Sequence, residues 1–439
     1  MWEFPFSNVP EGAIIDVDID DEGNIYAVSS RVVSNISEDF SVIYWNGQEW
    51  ETLGPVFKGQ QIQTIAIKGN EIYIGGRFSE VGGDQVVNVA HWNDEKWEGL
   101  GEGLRFWVYD LEIHKGEVCA AGLFDSTDDG ETDLNGVACW DGENWYPLGQ
   151  GFENIGNGFG DVREVRTLHS NGDILYAGGT FSRSGGVEVN SIAQWDGTHW
   201  MPVGEGLSGQ VWSITTTESG EVYAGGIFEH ALDGAFAHNV ARWNGESWHA
   251  LGEGLRVQVV DLEYHEGSLY AGGVGLFFGV LNEDHGVAQW SGREWVTVGE
   301  GITSTVRSLT VVDDLLYAGG GFLDRDSTVH VLATWNGSTT VSTQRHETPP
   351  NDKTIIQSIY PSPFAHVTHI IVRLNKEETV RISAFDVLGR EVVKVFNGTL
   401  PVGMHEFTLD AAGLMPLGMY IVRVSTEHRV ESMRIVKAN

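Results

Sequence analysis

The sequence predicts an all-β chain: a seven-bladed β-propeller of four-stranded blades, followed by a small C-terminal antiparallel β-sandwich. Three observations predict it. A pair of tryptophans around a tight turn recurs at a near-constant interval, a small-residue strand ending in Gly-Gly precedes most copies, and both signals stop after residue 342. The composition agrees, with 57 glycines and 16 tryptophans against 11 prolines in 439 residues, which marks many tight turns in a core of repeated units.

The tryptophan pairs are Trp45/Trp50, Trp92/Trp97, Trp140/Trp145, Trp195/Trp200, Trp243/Trp248 and Trp290/Trp295, and a seventh copy at Trp335 has Thr340 in place of its second Trp. Successive first tryptophans are 45 to 48 residues apart, except Trp140 to Trp195 at 55, where an insertion is expected. Upstream lie Tyr73-Ile-Gly-Gly, Cys119-Ala-Ala-Gly, and Tyr-Ala-Gly-Gly from Tyr176, Tyr223, Tyr270 and Tyr317, with Tyr26 heading a degenerate first copy. One unit reads V-x-[D/S/T]-[L/I/V], a turn, a strand ending in Gly-Gly, a loop, N-x-[V/I]-A-x-W, an Asn-Gly or Asp-Gly turn, and W-x-x-[L/V]-G-E-G-L. Those dipeptides favour the positive φ of hairpin turns, and Gly-Gly lets backbones approach closely. Four short antiparallel strands at this period make one propeller blade.

The ring must close, because an open edge invites aggregation. The seventh unit lacks its last strand, and residues 2–6 precede the first inner strand at the right distance to supply it. The N-terminus is therefore expected to close the last blade, with Trp2 as the displaced tryptophan. The Gly-Gly doublet followed by W-x-x-L resembles kelch-type propellers over residues 1–342. The Tyr–Cys pair and further ligands of the copper oxidases with that architecture cannot be assembled here.

Charge narrows the partners. Residues 355–439 carry 9 basic and 8 acidic residues, whereas the remainder carries 17 basic and 54 acidic. Such a surface repels phosphate backbones and anionic lipid, which argues against nucleic acid and membrane surfaces. No stretch is long and apolar enough to be a transmembrane segment. Cys119 and Cys139 fall on neighbouring strands of one blade, and a disulfide and a pair of buried thiols both fit. The start, Met1-Trp2-Glu3-Phe4, has neither the basic nor the apolar region of a signal peptide and taken alone reads as cytoplasmic.

The C-terminus argues otherwise. After a polar linker, residues 343–354, tryptophan disappears and residues 355–439 alternate as strands. Tyr360-Pro361-Ser362-Pro363-Phe364 is followed by Phe385-Asp386-Val387-Leu388-Gly389-Arg390, then Gly403-Met404-His405, Gly418-Met419-Tyr420 and Lys437. This order resembles the type A sorting domain of the bacterial type IX secretion system, with Ser362 where that family usually has Asn. The resemblance implies partnership with the type IX machinery, an upstream Sec signal, and release from the cell or attachment to its outer surface.

Two places could hold a ligand. Trp107 and Trp212 stand at or just before inner strands, and Tyr109, Arg166, Trp212 and Arg307 form a large, varied column beside a constant aliphatic one. Aromatics beside arginine suit a sugar or a protein hot spot; capping the inner ring is the plainer alternative. Asp125, Asp128, Asp129, Glu131 and Asp133 surround Gly130 with the hard oxygens calcium takes, although the spacing is not that of an EF-hand and a solvated loop explains them too. Asp18 to Gly23 reads as turn chemistry, and Glu102, Glu205, Glu253 and Glu300 as exposed turn residues. No catalytic motif is present. The expected function is binding or adhesion to a glycan or protein. A structural envelope protein is the second reading, and a polysaccharide hydrolase or lyase the third.

Overall fold

The computed structural model describes residues 2, 13–20, 22–34, 37–46, 48–58, 60–93, 95–154, 163–274, 286–298, 302–312, 315–323, 329–335, 356–360, 367–374, 376, 378–386, 390–410, 416, 418–426 and 430–437. The chain divides into two compact units, Met1–Ser338 and Thr339–Asn439. Among the described residues there is no helix.

In the first unit seven larger antiparallel sheets follow one another, six with at least four strands and the seventh with three described strands. Their first strands are Ala13–Ile19, Gln61–Lys68, Val108–His114, Glu164–Ser170, Gln210–Thr216, Gln258–His265 and Thr303–Val312. Each first strand lies against the next, and the seventh lies against the first, so the neighbours form a closed cycle. The result is a propeller-like, all-β fold.

The glycine doublets show why the sheets approach so closely. A Cβ on Gly178 would sit 2.6 Å from Val211 of the next sheet, and one on Gly179 would sit 2.1 Å from the Glu164 carbonyl oxygen of its own sheet. The seam is built identically: a Cβ on Gly319 would lie 2.7 Å from Ile14, so the seventh sheet packs on the first as the fourth packs on the fifth. Between sheets the core is aliphatic and aromatic, as with Val211, Ile214, Val222 and Trp248 in one cluster.

In five of the six pairs the second tryptophan ties its sheet to the preceding one. The indole N–H groups of Trp97, Trp145, Trp200, Trp248 and Trp295 donate to the carbonyls of Leu53, Leu100, Leu148, Val203 and Leu251. At the seventh sheet Trp2 takes this place. It is 3% exposed, donates to the Val298 carbonyl at 2.6 Å and packs on Trp335 with ring centroids 6.4 Å apart. Residues 3–6, expected to extend this closure as a strand, lie outside the described residues.

Cys119 and Cys139 stand directly opposite each other in the third sheet, with Cα atoms 4.0 Å apart, and are joined by a disulfide. Of the two alternatives open for these residues, the register selects the bridge.

The second unit has a three-stranded sheet (Ile356–Tyr360, Val367–Leu374, Gly403–Asp410) and a four-stranded one (Glu391–Leu400, Glu378–Asp386, Gly418–Ser425, Val430–Lys437). Ile370, Val372 and Leu409 of one share a buried cluster with Ile382, Val422 and Val424 of the other. Of the sorting-motif residues, Tyr360 pairs with His369, Asp386 with Tyr420, and Gly418 with Lys437. The buried Tyr420 donates its hydroxyl to the Pro416 carbonyl at 2.7 Å, and Arg390 is exposed. Pro361, Pro363, Phe364 and Gly389 lie outside the described residues.

Candidate functional site at the bulged inner strands

Every first strand pairs irregularly with its second strand at the same place. The register shifts between Ile14 and Asp16, Ile62 and Thr64, Val108 and Asp110, Val165 and Thr167, Val211 and Ser213, Val259 and Asp261, and Val306 and Ser308. The skipped residues are Ile15, Gln63, Tyr109, Arg166, Trp212, Val260 and Arg307. A bulge leaves its extra residue unpaired and re-aims the side chain, which is why this column escapes the aliphatic rule of its neighbours.

Four of the five predicted residues meet across three sheets. Trp107 stacks on Tyr109 with centroids 6.0 Å apart. The Arg166 guanidinium lies 4.5 Å from the Tyr109 ring centroid and 5.8 Å from that of Trp212. Its edge is engaged by Glu164, which accepts from Nε at 2.9 Å and from Nη2 at 2.7 Å. Trp212 donates its indole N–H to Gln210 at 3.1 Å. Burial, foremost, raises the Tyr109 hydroxyl above its ordinary value; the Arg166 charge opposes this. Arg307 is exposed on the seventh sheet and makes none of the stacking contacts of this row, so the structure does not gather the full predicted set.

Sequence reasoning missed two neighbours. Arg77, at the end of the second strand of sheet two, lies 5.4 Å over Trp107 and extends the row to a fourth sheet. Phe106, just before Trp107, is 55% exposed with φ of 76°, a backbone state that costs a bulky residue on the order of 1–2 kcal/mol. Asn88 holds it there by donating to the Phe106 carbonyl at 2.7 Å. At the equivalent Asn239 the same bond goes to Val257, which is buried at 7% exposure, so that connection does not repeat the outward aromatic.

The predicted calcium loop is a different case. Asp125, Asp128, Asp129, Glu131 and Asp133 are all exposed. Asp129 accepts from the Thr127 hydroxyl and the Glu131 N–H, and these bonds hold its carboxyl below the ordinary range. Among the described residues no three His, Cys, Asp or Glu side chains are grouped to hold a metal ion. The loop closes on its own hydrogen bonds, with its carboxylates spread into solvent. Glu102, Glu205 and Glu253 are exposed beside positive-φ glycines, and Glu300 lies outside the described residues.

One stretch read as a turn divides in two. Asp20 does make turn bonds, accepting from the Glu22 and Asn24 N–H groups. Asp18, however, belongs to the first inner strand and accepts from the Ile67 N–H of the next sheet at 2.8 Å. Among the described residues it is one of six acids on the first strands whose carboxyls burial raises. Asp16, Asp110 and Asp261 form one tier, accepting from the Ile65, Leu168 and Leu309 N–H groups of following sheets. Asp18, Glu112 and Glu263 form the other. They keep some contact with solvent, yet protein surrounds them, and this desolvation raises Asp16 to about 6, Asp18, Asp110 and Asp261 to about 7, and Glu263 to about 8. Glu112 is raised well above its ordinary value for the same reason. The third position of the V-x-[D/S/T]-[L/I/V] motif carries the signal for the first tier.

A propeller-like unit with an aromatic and arginine row, followed by a β-unit bearing sorting motifs, defines a secreted modular protein. Residues 358–438 match the secretion system C-terminal sorting domain family. The type IX sorting domain makes this an exported protein, released or held at the cell surface, and no described helix is long and apolar enough to cross a membrane. No curated protein matches the chain. Among solved structures, a glycoside hydrolase family 43 arabinoxylan arabinofuranohydrolase from Bacillus subtilis, in complex with cellotetraose, aligns at 10% identity and a TM-score of 0.21, covering 98% of this chain and 92% of that one.

Proposed function

We propose that the first unit is a seven-bladed, kelch-like propeller, closed by its N-terminus and acting outside the cell as a binding or adhesion module for a glycan. A short linker, residues 343–354, would join it to a sandwich-type domain read by the type IX machinery. The observation that carries the binding reading is the Trp107, Tyr109, Arg166 and Trp212 row. Bulges turn three of these side chains out of the sheet pairing, and flat aromatic faces beside arginine suit the apolar face and hydroxyls of a sugar. Catalysis is the weaker reading, because the first-tier carboxylates are committed to backbone N–H groups of neighbouring sheets.

The test uses the full chain against a panel of oligosaccharides and polysaccharides, with and without EDTA, assayed for both binding and released products. Binding without products and without sensitivity to EDTA is expected. Replacing both Trp107 and Trp212 by alanine should lower affinity at least tenfold while the melting temperature moves by only a few degrees, since both side chains are partly exposed. Loss of binding and of folding together would return these tryptophans to a capping role. Product release would make the protein an enzyme.

A further inference from the structure

Arg77 and Arg166 are the same device in two states. Each guanidinium lies over an aromatic ring, Arg77 over Trp107 at 5.4 Å and Arg166 over Tyr109 at 4.5 Å. A guanidinium held over a ring by cation–π attraction keeps its N–H groups for other partners, and their planar fork matches a carboxylate. In Arg166 that fork is filled, because Glu164 accepts from both Nε and Nη2. In Arg77 it is empty: no ion pair or hydrogen bond engages its side chain among the described residues, although the chain holds 62 acidic residues against 26 basic ones. In so acidic a protein, an exposed arginine lying over a tryptophan beside the proposed sugar platform suits a carboxylate brought from outside.

Resting on the glycan reading above, we infer that the ligand is an acidic polysaccharide, and that Arg77 receives the carboxylate of a uronic acid residue while the partly exposed Trp107 packs against the sugar. The protein's net negative charge opposes such a ligand at long range. That repulsion is screened beyond about 8 Å at physiological salt, whereas the Arg77 contact acts at hydrogen-bond distance and is screened far less. Moderate salt should therefore strengthen the interaction, the reverse of what a basic surface shows with a polyanion.

The experiment measures affinity of the full chain for oligogalacturonate, oligomannuronate, oligoguluronate and oligoglucuronate, each beside its carboxyl-reduced neutral counterpart. At least one acidic oligomer should bind roughly ten- to hundredfold more tightly than its neutral counterpart, the range expected for a charge-assisted pair. Arg77→Gln should remove that preference, Arg77→Lys should restore only part of it, and Trp107→Ala should weaken both forms. Equal binding of acidic and neutral oligomers, or an unchanged preference in Arg77→Gln, overturns the inference and leaves the glycan reading standing. Binding of none of them while neutral glycans of other types bind also overturns the inference alone. Silence toward every glycan overturns both.

Discussion

Trp2 and Val298 are 296 residues apart in sequence and joined by one hydrogen bond, which adds to the closure made by the seventh sheet packing on the first. Removing a buried tryptophan costs about 3–5 kcal/mol, and Trp2→Ala should lower stability toward urea by about 3 kcal/mol. Trp2→Phe should recover most of this, losing mainly the hydrogen bond, worth about 1 kcal/mol. An unchanged denaturation midpoint in Trp2→Ala would mean that the seam is held elsewhere. At this scale the sequence was partly legible. The missing second tryptophan of the seventh repeat pointed to Trp2, and the varied column pointed to Tyr109, Arg166 and Trp212. Arg77 was invisible because it ends a strand in one sheet and acts on a ring in the next. Arg307 looked equivalent to its column mates and is not, since among the described residues no aromatic stacks on it.

Among the elements, the third sheet is the one with a covalent tie. Its disulfide joins residues 20 apart on strands already paired, linking Cys119 and Cys139 across a position 0–1% exposed. A loop of that length corresponds to about 3 kcal/mol of chain entropy in the unfolded state. Cys119→Ala with Cys139→Ala should therefore lower the melting temperature by several degrees without loss of the fold, and a reducing agent should do the same to the unmutated protein. Equal melting temperatures with and without reductant would show that the pairing strands alone supply the restraint. The strand pattern itself was readable, because alternation and Asn-Gly or Asp-Gly turns act within a few residues. The bulges were not, since a bulge is a mismatch between two strands and neither strand alone carries it.

Across the whole molecule the inner-strand acids set a pH dependence. In the fold, burial raises Asp16, Asp18, Asp110, Asp261 and Glu263 to between about 6 and about 8, whereas unfolded carboxyls titrate near 4. Between these values the folded state binds more protons than the unfolded one, so stability is fullest below about pH 4 for these groups and declines as pH rises to about 8. Glu112 adds to this in the same direction, whereas His169, lowered from 6.5 to about 4 by burial, offsets part of it between those values, where only the unfolded imidazole is protonated. The melting temperature should be higher at pH 5.5 than at pH 8, and Asp110→Asn with Asp261→Asn should flatten the slope while keeping an acceptor oxygen for Leu168 and Leu309. A higher melting temperature at pH 8 would mean that the backbone N–H groups outweigh desolvation and keep these carboxylates charged.

Taken by itself, the sequence determined the all-β, repeated build and the exported destination. Each repeat solves the same packing problem with residues close together in the chain, so its solution recurs as Trp pairs and Gly-Gly strands, and a sorting signal must be legible locally to be recognised. Tertiary structure decided what meets across sheets: which arginine lies on which ring, which cysteines bridge, that Asp18 stitches two sheets instead of turning a corner, and that the Asp125 to Asp133 loop spreads its carboxylates apart. Those outcomes depend on contacts between segments some 50 residues apart and on how much water the fold excludes, and neither quantity is written in any single stretch of chain.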